Sequence, residues 1–114
     1  MKAADCTTMA EIRAEIDRVD RTLVALFAER TSYIDRAAQI KTGIGLPARI
    51  NDRVEEVVAN VRAEAVLHGL PPDQLEKLWR KLIEWSIARE EDVLGPDAET
   101  TTPAKGERDD GQGN

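Results

Sequence analysis

The sequence predicts an all-α fold of three helices, one of them very long, which assemble into an intertwined homodimeric bundle. Apolar residues recur at alternating steps of three and four along three segments, and glycine and proline separate those segments. No segment of useful length has the alternating pattern of a strand. The first segment is also too long for a chain of 114 residues to cover by itself, which is why a second copy is expected.

The first helix is predicted to begin after Thr8, with Glu11 completing a capping box. It has no break before Gly43 and Gly45, so it runs for about 34 residues, or roughly 50 Å. One seam spans its length: Met9, Ile12, Ile16, Val19, Leu23, Leu26, Arg30, Tyr33, Ala37 and Ile40.

A compact domain of this size has a radius of gyration near 13 Å, so the long helix projects beyond the core of its own chain. Pairing of the long helices of two chains would cover the seam. A simple coiled-coil dimer is the alternative. Two further amphipathic helices favour the interlocked bundle.

The second helix is expected at about 50–68, and Gly69 followed by Leu70 predicts a Schellman ending. Its apolar stripe is Ile50, Val54, Val57, Val58, Val61 and Ala65. The third helix is expected at about 72–94, between a proline pair and a Gly-Pro stop. Its predicted core-facing residues are Leu75, Leu78, Trp79, Leu82, Ile83, Ser86, Ile87 and Val93.

The helical domain is predicted to end at residue 95, and residues 96–114 are predicted to be a disordered acidic tail. The tail has no aliphatic residue larger than alanine, and it is rich in glycine, proline, threonine and charge. It carries half of the formal net charge of −6, so the helical part is only mildly acidic. This balance argues against nucleic acid and anionic membranes as partners.

The sequence lacks the residues that several kinds of catalytic or metal site need. Cys6 is the only cysteine, and His68, the only histidine, precedes Gly69 as a surface C-cap residue would. There is no apolar run long enough for a membrane span, and no apolar signal-peptide core. A cytoplasmic protein without a metal or cofactor fits best, while a role for Cys6 and for the tail stays open.

Arg30 occupies a position in the seam where an apolar side chain belongs. Burying a guanidinium without an anionic partner costs several kcal/mol. Lys41 lies 11 residues later, about 20° round the helix and roughly 16 Å along it. Together they fit either a small bound dianion or an internal ion pair, and the helix alone does not separate these alternatives.

Arg13 precedes Arg30 by 17 residues, so the two lie roughly 25 Å apart on one straight helix. In an antiparallel dimer, however, Arg13 of one copy comes level with the Arg30 and Lys41 of the other. Arg53, at the start of the second helix, adds a fourth cation near the helix N-terminus. Without further context, surface charge is the favoured reading for Arg13 and Arg53.

Glu90 is a carboxylate on the buried face of the third helix, in register with Trp79, Ile83 and Ser86. It can serve as the ion-pair partner of Arg30, or it can face a ligand. These two readings do not exclude each other.

With these residues in place, the chain resembles the all-helical chorismate mutases and the related isochorismate-pyruvate lyases. The resemblance covers about residues 5–94. It rests on I-R-x-x-I-D-x-V-D from Ile12, the Glu29-Arg30 pair, Lys41, the Asn-Asp-Arg run ending at Arg53, and the stretch I-E-W-S-I-A-R-E that ends at Glu90.

The resemblance implies that Arg13 of one subunit and Arg30 of the other bind the two carboxylates of the substrate. It also implies that Lys41 donates to the ether oxygen, that Glu90 holds the second ether-oxygen position, and that Arg53 and Ser86 contribute to substrate binding. A pericyclic rearrangement needs no nucleophile, metal or cofactor, only a reactive conformer and donors where negative charge develops.

The choice between the two reactions depends on a few positions. Glu90 stands where most bacterial mutases have glutamine, although eukaryotic mutases have glutamate there. Val54 and the Asp-Cys-Thr start resemble the lyases, and Ser86 resembles the mutases. The sequence therefore favours chorismate mutase, with isochorismate-pyruvate lyase close behind and a non-catalytic helical dimer that binds a partner enzyme as a distant third.

Overall fold

The computed structural model describes residues 1–95, and within that range the chain is helical with no strand. A short 3-10 helix precedes three α-helices: α1 (Met9–Ile44), α2 (Asn51–Leu67) and α3 (Pro72–Leu94). The predicted all-α class and the three helices are confirmed. The predicted tail, 96–114, lies outside the described residues.

The helix ends follow the predicted capping rules. Thr8 Oγ1 accepts the N–H of Glu11 at 3.1 Å, and Glu11 Oε1 accepts the N–H of Thr8 at 3.2 Å, which completes the capping box. At the end of α2 the N–H of Leu70 donates to the carbonyl of Ala65 at 2.8 Å, while Gly69 has a φ of 73°. This is the predicted Schellman ending, with glycine in the left-handed conformation that it requires.

The chain divides into two units, and the first comprises Met1–Tyr33. No residue of this unit is buried, and its large apolar side chains are exposed: Met9, Ile16, Val19, Leu23, Val24, Leu26, Phe27 and Tyr33. At about 100° per residue these side chains span roughly half of the helix circumference. The predicted seam is therefore present, and it is wider than the seam of a two-stranded coiled coil.

The second unit begins at Ile34 and contains the hydrophobic core. Its α2 and α3 pack antiparallel, as the ion pairs Arg62–Asp73 and Arg80–Glu55 show by their order along the two helices. The main core cluster consists of the buried residues Ala48, Val58, Ile83 and Ile87, with Val54, Val57 and Leu94 packed against them.

Two residues of α3 predicted to face the core are exposed. Leu78 and Val93 are 54% and 61% exposed in this chain. Leu78 lies about 140° round α3 from Ile83, on a side that the chain's own core does not reach. No helix within residues 1–95 has the length and apolar character needed to cross a bilayer.

Candidate active site

The centre of the candidate site is a hydrogen-bonded pair formed by Lys41, in the last turn of α1, and Glu90, near the end of α3. Lys41 Nζ donates to Glu90 Oε1 at 2.7 Å and to the main-chain oxygen of Ala48 at 2.9 Å. The two side chains are only 17% and 6% exposed. An ion pair this far from water depends on both partners, because removing either one leaves an uncompensated charge.

Glu90 is buried because it lies on the apolar face of α3. Ile83, Ser86, Ile87 and Glu90 recur at steps of three and four, and all four are buried. The prediction that Glu90 shares the buried face of Ser86 and Ile83 is thus confirmed. The partner that the structure shows for its Oε1 is Lys41, where the sequence suggested Arg30.

Ser86 lies one helical turn before Glu90 and is 6% exposed. Its Oγ donates to the main-chain oxygen of Leu82 at 3.0 Å, the usual back-bond of a serine inside a helix. Ser86 therefore lies on the same face of α3 as Glu90. Its contact with a substrate stays a prediction.

Arg53 lies in the first turn of α2, and its side chain is 63% exposed. It donates to Glu56 Oε1 at 2.8 Å, a surface pair three residues apart on one helix. Within the described residues it makes no hydrogen bond to Lys41 or Glu90. The structure shows this surface pair, and the role of Arg53 in substrate binding stays a prediction.

Arg13 and Arg30 both lie in the first unit. Arg13 is exposed on α1, and Arg30 is half-buried. Because the substrate contacts expected of them involve two chains, their meeting at one site stays a prediction.

Two salt bridges beside the pair were not predicted. Arg89 donates to the carboxylate of Asp35 through Nε at 2.6 Å and through Nη2 at 3.1 Å, next to Glu90 on α3. Arg49, in the loop that joins α1 to α2, binds both carboxylate oxygens of Glu84. The hydrogen bonds from these arginines lower the pKa of Asp35 and of Glu84 below their ordinary values.

The hydrogen bond from Lys41 to Ala48 and the two salt bridges could not be predicted from the sequence, for a physical reason. The acceptor on Ala48 is a main-chain carbonyl, which every residue has, so no side chain marks it. The two salt bridges join residues 54 and 35 positions apart on different elements. Helix periodicity relates residues on one helix and says nothing about such pairs.

The chemistry available at this site follows from its donors. An ammonium has three N–H groups, and two of those of Lys41 are held by Glu90 and Ala48. The third can donate to an oxygen of a bound molecule while the other two fix its direction. In residues 1–95 no group of three or more His, Cys, Asp or Glu side chains is placed to hold a metal ion.

A partly enclosed lysine–glutamate pair on a helical scaffold is a candidate site for binding a small molecule by charge and hydrogen bonding. The chain is a member of the chorismate mutase type II family, whose model matches residues 12–91.

The relatives of this chain differ in the activity that their names give. The T-protein of Enterobacter agglomerans is 32% identical over 84 residues, which are 74% of this chain and 22% of that protein. The isochorismate pyruvate lyase of Pseudomonas aeruginosa is 32% identical over 87 residues, 75% of this chain and 84% of the lyase. The chorismate mutase of Methanocaldococcus jannaschii is 30% identical over 86 residues, 75% of this chain and 87% of the mutase.

The lengths of the relatives differ. The chain spans about a fifth of the T-protein, whereas it spans most of the lyase and of the archaeal mutase. The family match, residues 12–91, includes both Lys41 and Glu90.

Proposed function

We propose that the protein is a chorismate mutase that rearranges chorismate to prephenate in sites shared by the two subunits of a homodimer. The observation that carries this proposal is the Lys41–Glu90 pair, 2.7 Å apart and largely shielded from water, in a chain that matches the chorismate mutase type II family over residues 12–91. A cytoplasmic location is part of the proposal, as is the absence of a cofactor.

The rearrangement breaks the ether C–O bond of a dianionic substrate, so negative charge develops on the ether oxygen. Lys41 donates its third N–H to that oxygen, and Glu90 donates from the second position through Oε2 when that oxygen carries a proton, while its Oε1 accepts from Lys41. Arg13 of one subunit and Arg30 of the other bind the two carboxylates, with Arg53 and Ser86 as further contacts. Catalysis then consists of holding the chair-like conformer and placing donors before the charge appears.

The wide apolar arc of the first unit supports the homodimer. Exposed side chains over about half of a helix surface need neighbours on two sides, which an interlocked bundle supplies and a simple coiled coil does not. The second unit also leaves an apolar groove of about 270 Å³ between α2 and α3, lined in part by Val61, Leu70, Leu75 and Trp79. An antiparallel arrangement of the α1 helices brings Arg13 of one chain level with the Arg30 and Lys41 of the other.

A charged residue in the middle of the exposed apolar surface of α1 tests whether the protein is a dimer. Leu23→Glu should convert the protein to a monomer and remove activity, because a carboxylate would be buried against apolar side chains of the partner. Light scattering coupled to size-exclusion chromatography reports the mass. Ala25→Glu is the matched control, since Ala25 is exposed on the opposite side of α1. A Leu23→Glu protein that stays dimeric would contradict the arrangement.

The proposed role of Glu90 gives a test by substitution. The amide of Glu90→Gln can accept from Lys41 through Oε1 and donate through Nε2, so the folded variant should be at least as active as wild type. Initial rates on chorismate give the comparison. A large loss of activity in folded Glu90→Gln would show that a donor at this position is not what the reaction needs.

Isochorismate-pyruvate lyase is the second candidate. Two observations favour it: a lyase relative is 32% identical over most of its length, and Val54, half-buried on α2, resembles the lyases. Both reactions break a C–O bond in a dianionic substrate, so the cations and Lys41 serve either one. The substrate that is turned over is what distinguishes the two.

The experiment supplies purified full-length protein with chorismate and with isochorismate in separate reactions. Prephenate from chorismate is the expected product, identified by NMR spectroscopy and by its acid-catalysed conversion to phenylpyruvate. Salicylate and pyruvate from isochorismate, without prephenate from chorismate, would establish the lyase instead. Turnover of neither substrate by a folded dimer would leave the non-catalytic helical dimer as the remaining reading.

A further inference from the structure

The loop between α1 and α2, residues 45–50, provides one of the two acceptors that hold Lys41. We propose that the Arg49–Glu84 salt bridge positions the Lys41 ammonium through the main-chain carbonyl of Ala48. Arg49 and Glu84 are then positioning residues of the reaction, although neither touches the substrate. This inference rests on the proposed function, in which Lys41 acts on the ether oxygen.

The contact between the loop and Lys41 is direct. The carbonyl oxygen of Ala48 lies 2.9 Å from Lys41 Nζ, on a side chain whose other acceptor is Glu90. Ala48 is 6% exposed and belongs to the core cluster with Val58, Ile83 and Ile87. Its side chain is therefore anchored in the core while its carbonyl points to the ammonium.

Arg49 fixes the next residue of the loop to α3. Its Nη1 donates to Glu84 Oε2 at 2.9 Å, and its Nη2 donates to Glu84 Oε1 at 2.5 Å. A two-point arginine–carboxylate contact restricts orientation as well as distance. With Ala48 packed in the core and Arg49 bound to α3, rotation of the peptide group between them is opposed from both sides.

The orientation of the Lys41 ammonium matters because only one of its three N–H groups is directed at the substrate. With two N–H groups of Lys41 directed at fixed acceptors, the third has a defined direction. If the Ala48 carbonyl turns away, the ammonium keeps only Glu90 and rotates more freely. A misplacement of about 1 Å at a reacting group can cost up to roughly 10²-fold in rate.

The salt bridge is partly exposed, with the Arg49 and Glu84 side chains 37% and 57% accessible. Exposed pairs of this kind contribute little to stability. Loss of the pair should therefore change the rate of the reaction more than the melting temperature. A purely structural role would give the opposite result.

The test compares Glu84→Ala with Glu55→Ala in the full-length protein. Glu55 accepts two hydrogen bonds from Arg80, also between helices, and is 65% exposed. In the described residues its side chain makes no hydrogen bond to the loop at 45–50. Glu84→Ala should lower kcat on chorismate about tenfold with little change in KM, while Glu55→Ala should leave both close to wild type.

A second measurement follows Lys41 without substrate. Lysine ammonium resonances are recorded by ¹⁵N NMR spectroscopy, and that of Lys41 is assigned by its loss in Lys41→Arg. Its hydrogen exchange should become several-fold faster in Glu84→Ala and stay unchanged in Glu55→Ala, because one of its two acceptors is no longer held.

The two measurements together decide the inference. Unchanged exchange at Lys41, or an unchanged kcat despite faster exchange, overturns it. Equal loss of kcat in both variants overturns it too, since the effect would then be structural. If wild type turns over neither chorismate nor isochorismate, the proposed function fails. The exchange measurement still shows in that case whether the salt bridge holds Lys41.

Discussion

Replacing Lys41 with alanine should reduce kcat on chorismate by roughly 10²–10³-fold, because one hydrogen-bond donor to developing negative charge typically contributes about 2.7–4 kcal/mol. The ammonium is the donor that the structure places beside Glu90, with one N–H available. Initial rates from the loss of chorismate absorbance give the ratio. Lys81→Ala, which removes an exposed lysine from α3, is the matched control and should be as active as wild type.

From its position at the helix end beside Gly43 and Gly45, Lys41 is expected to contribute little to packing, but the structure shows a second consequence of its loss. Lys41 is the partner of a carboxylate that is 6% exposed, so its removal also destabilises the fold. Circular dichroism should accompany the kinetics. If the single variant fails to fold, Lys41→Ala combined with Glu90→Gln removes the unpaired charge and tests the same loss. Folded protein with activity within a few-fold of wild type would exclude Lys41 as the donor.

Mixing two inactive variants should restore activity if each site takes Arg13 from one chain and Arg30 from the other. Arg13→Ala and Arg30→Ala homodimers should each be almost inactive, because every site lacks one carboxylate-binding arginine. After unfolding and refolding together, each heterodimer has one doubly defective site and one intact site. Half of the wild-type activity per heterodimer is expected, measured on heterodimers purified with two different affinity tags.

The result depends on the antiparallel pairing alone. If both arginines came from the same chain, every site in every species would still lack one of them. Verified heterodimers without recovered activity would then rule out the shared site. They would also rule out the arrangement of α1 helices that places Arg13 level with the partner's Lys41.

Local rules were enough to predict the helices of this chain. The capping box at Thr8, the Schellman ending at Gly69 and the steps of three and four on α3 each involve residues within one helical turn or two. The same periodicity placed Glu90 on the buried face. These features are set by the sequence near them, so they could be predicted without knowing how the helices pack.

The contacts of the candidate site could be predicted only in part. Lys41 was singled out by its helix register with Arg30, Glu90 by its odd position on an apolar face, and both by the family resemblance. Their direct pairing, however, depends on how α1 packs on α3. The Ala48 carbonyl and the Arg49–Glu84 bridge depend on the path of a loop. The exposure of Leu78 shows the same limit, since periodicity does not say which side of a helix a single chain covers.

The central claim is that Lys41 and Glu90 form the centre of a site complementary to the chair-like transition state of chorismate. The most direct measurement is calorimetric binding of a stable bicyclic dicarboxylate with an ether oxygen, which has the shape of that state but cannot react. Such analogues bind far more tightly than substrates. One molecule per chain should bind wild type tightly, and Lys41→Ala should bind it at least 10²-fold more weakly. No binding to folded wild-type dimer, or equal affinity in Lys41→Ala, would contradict the claim.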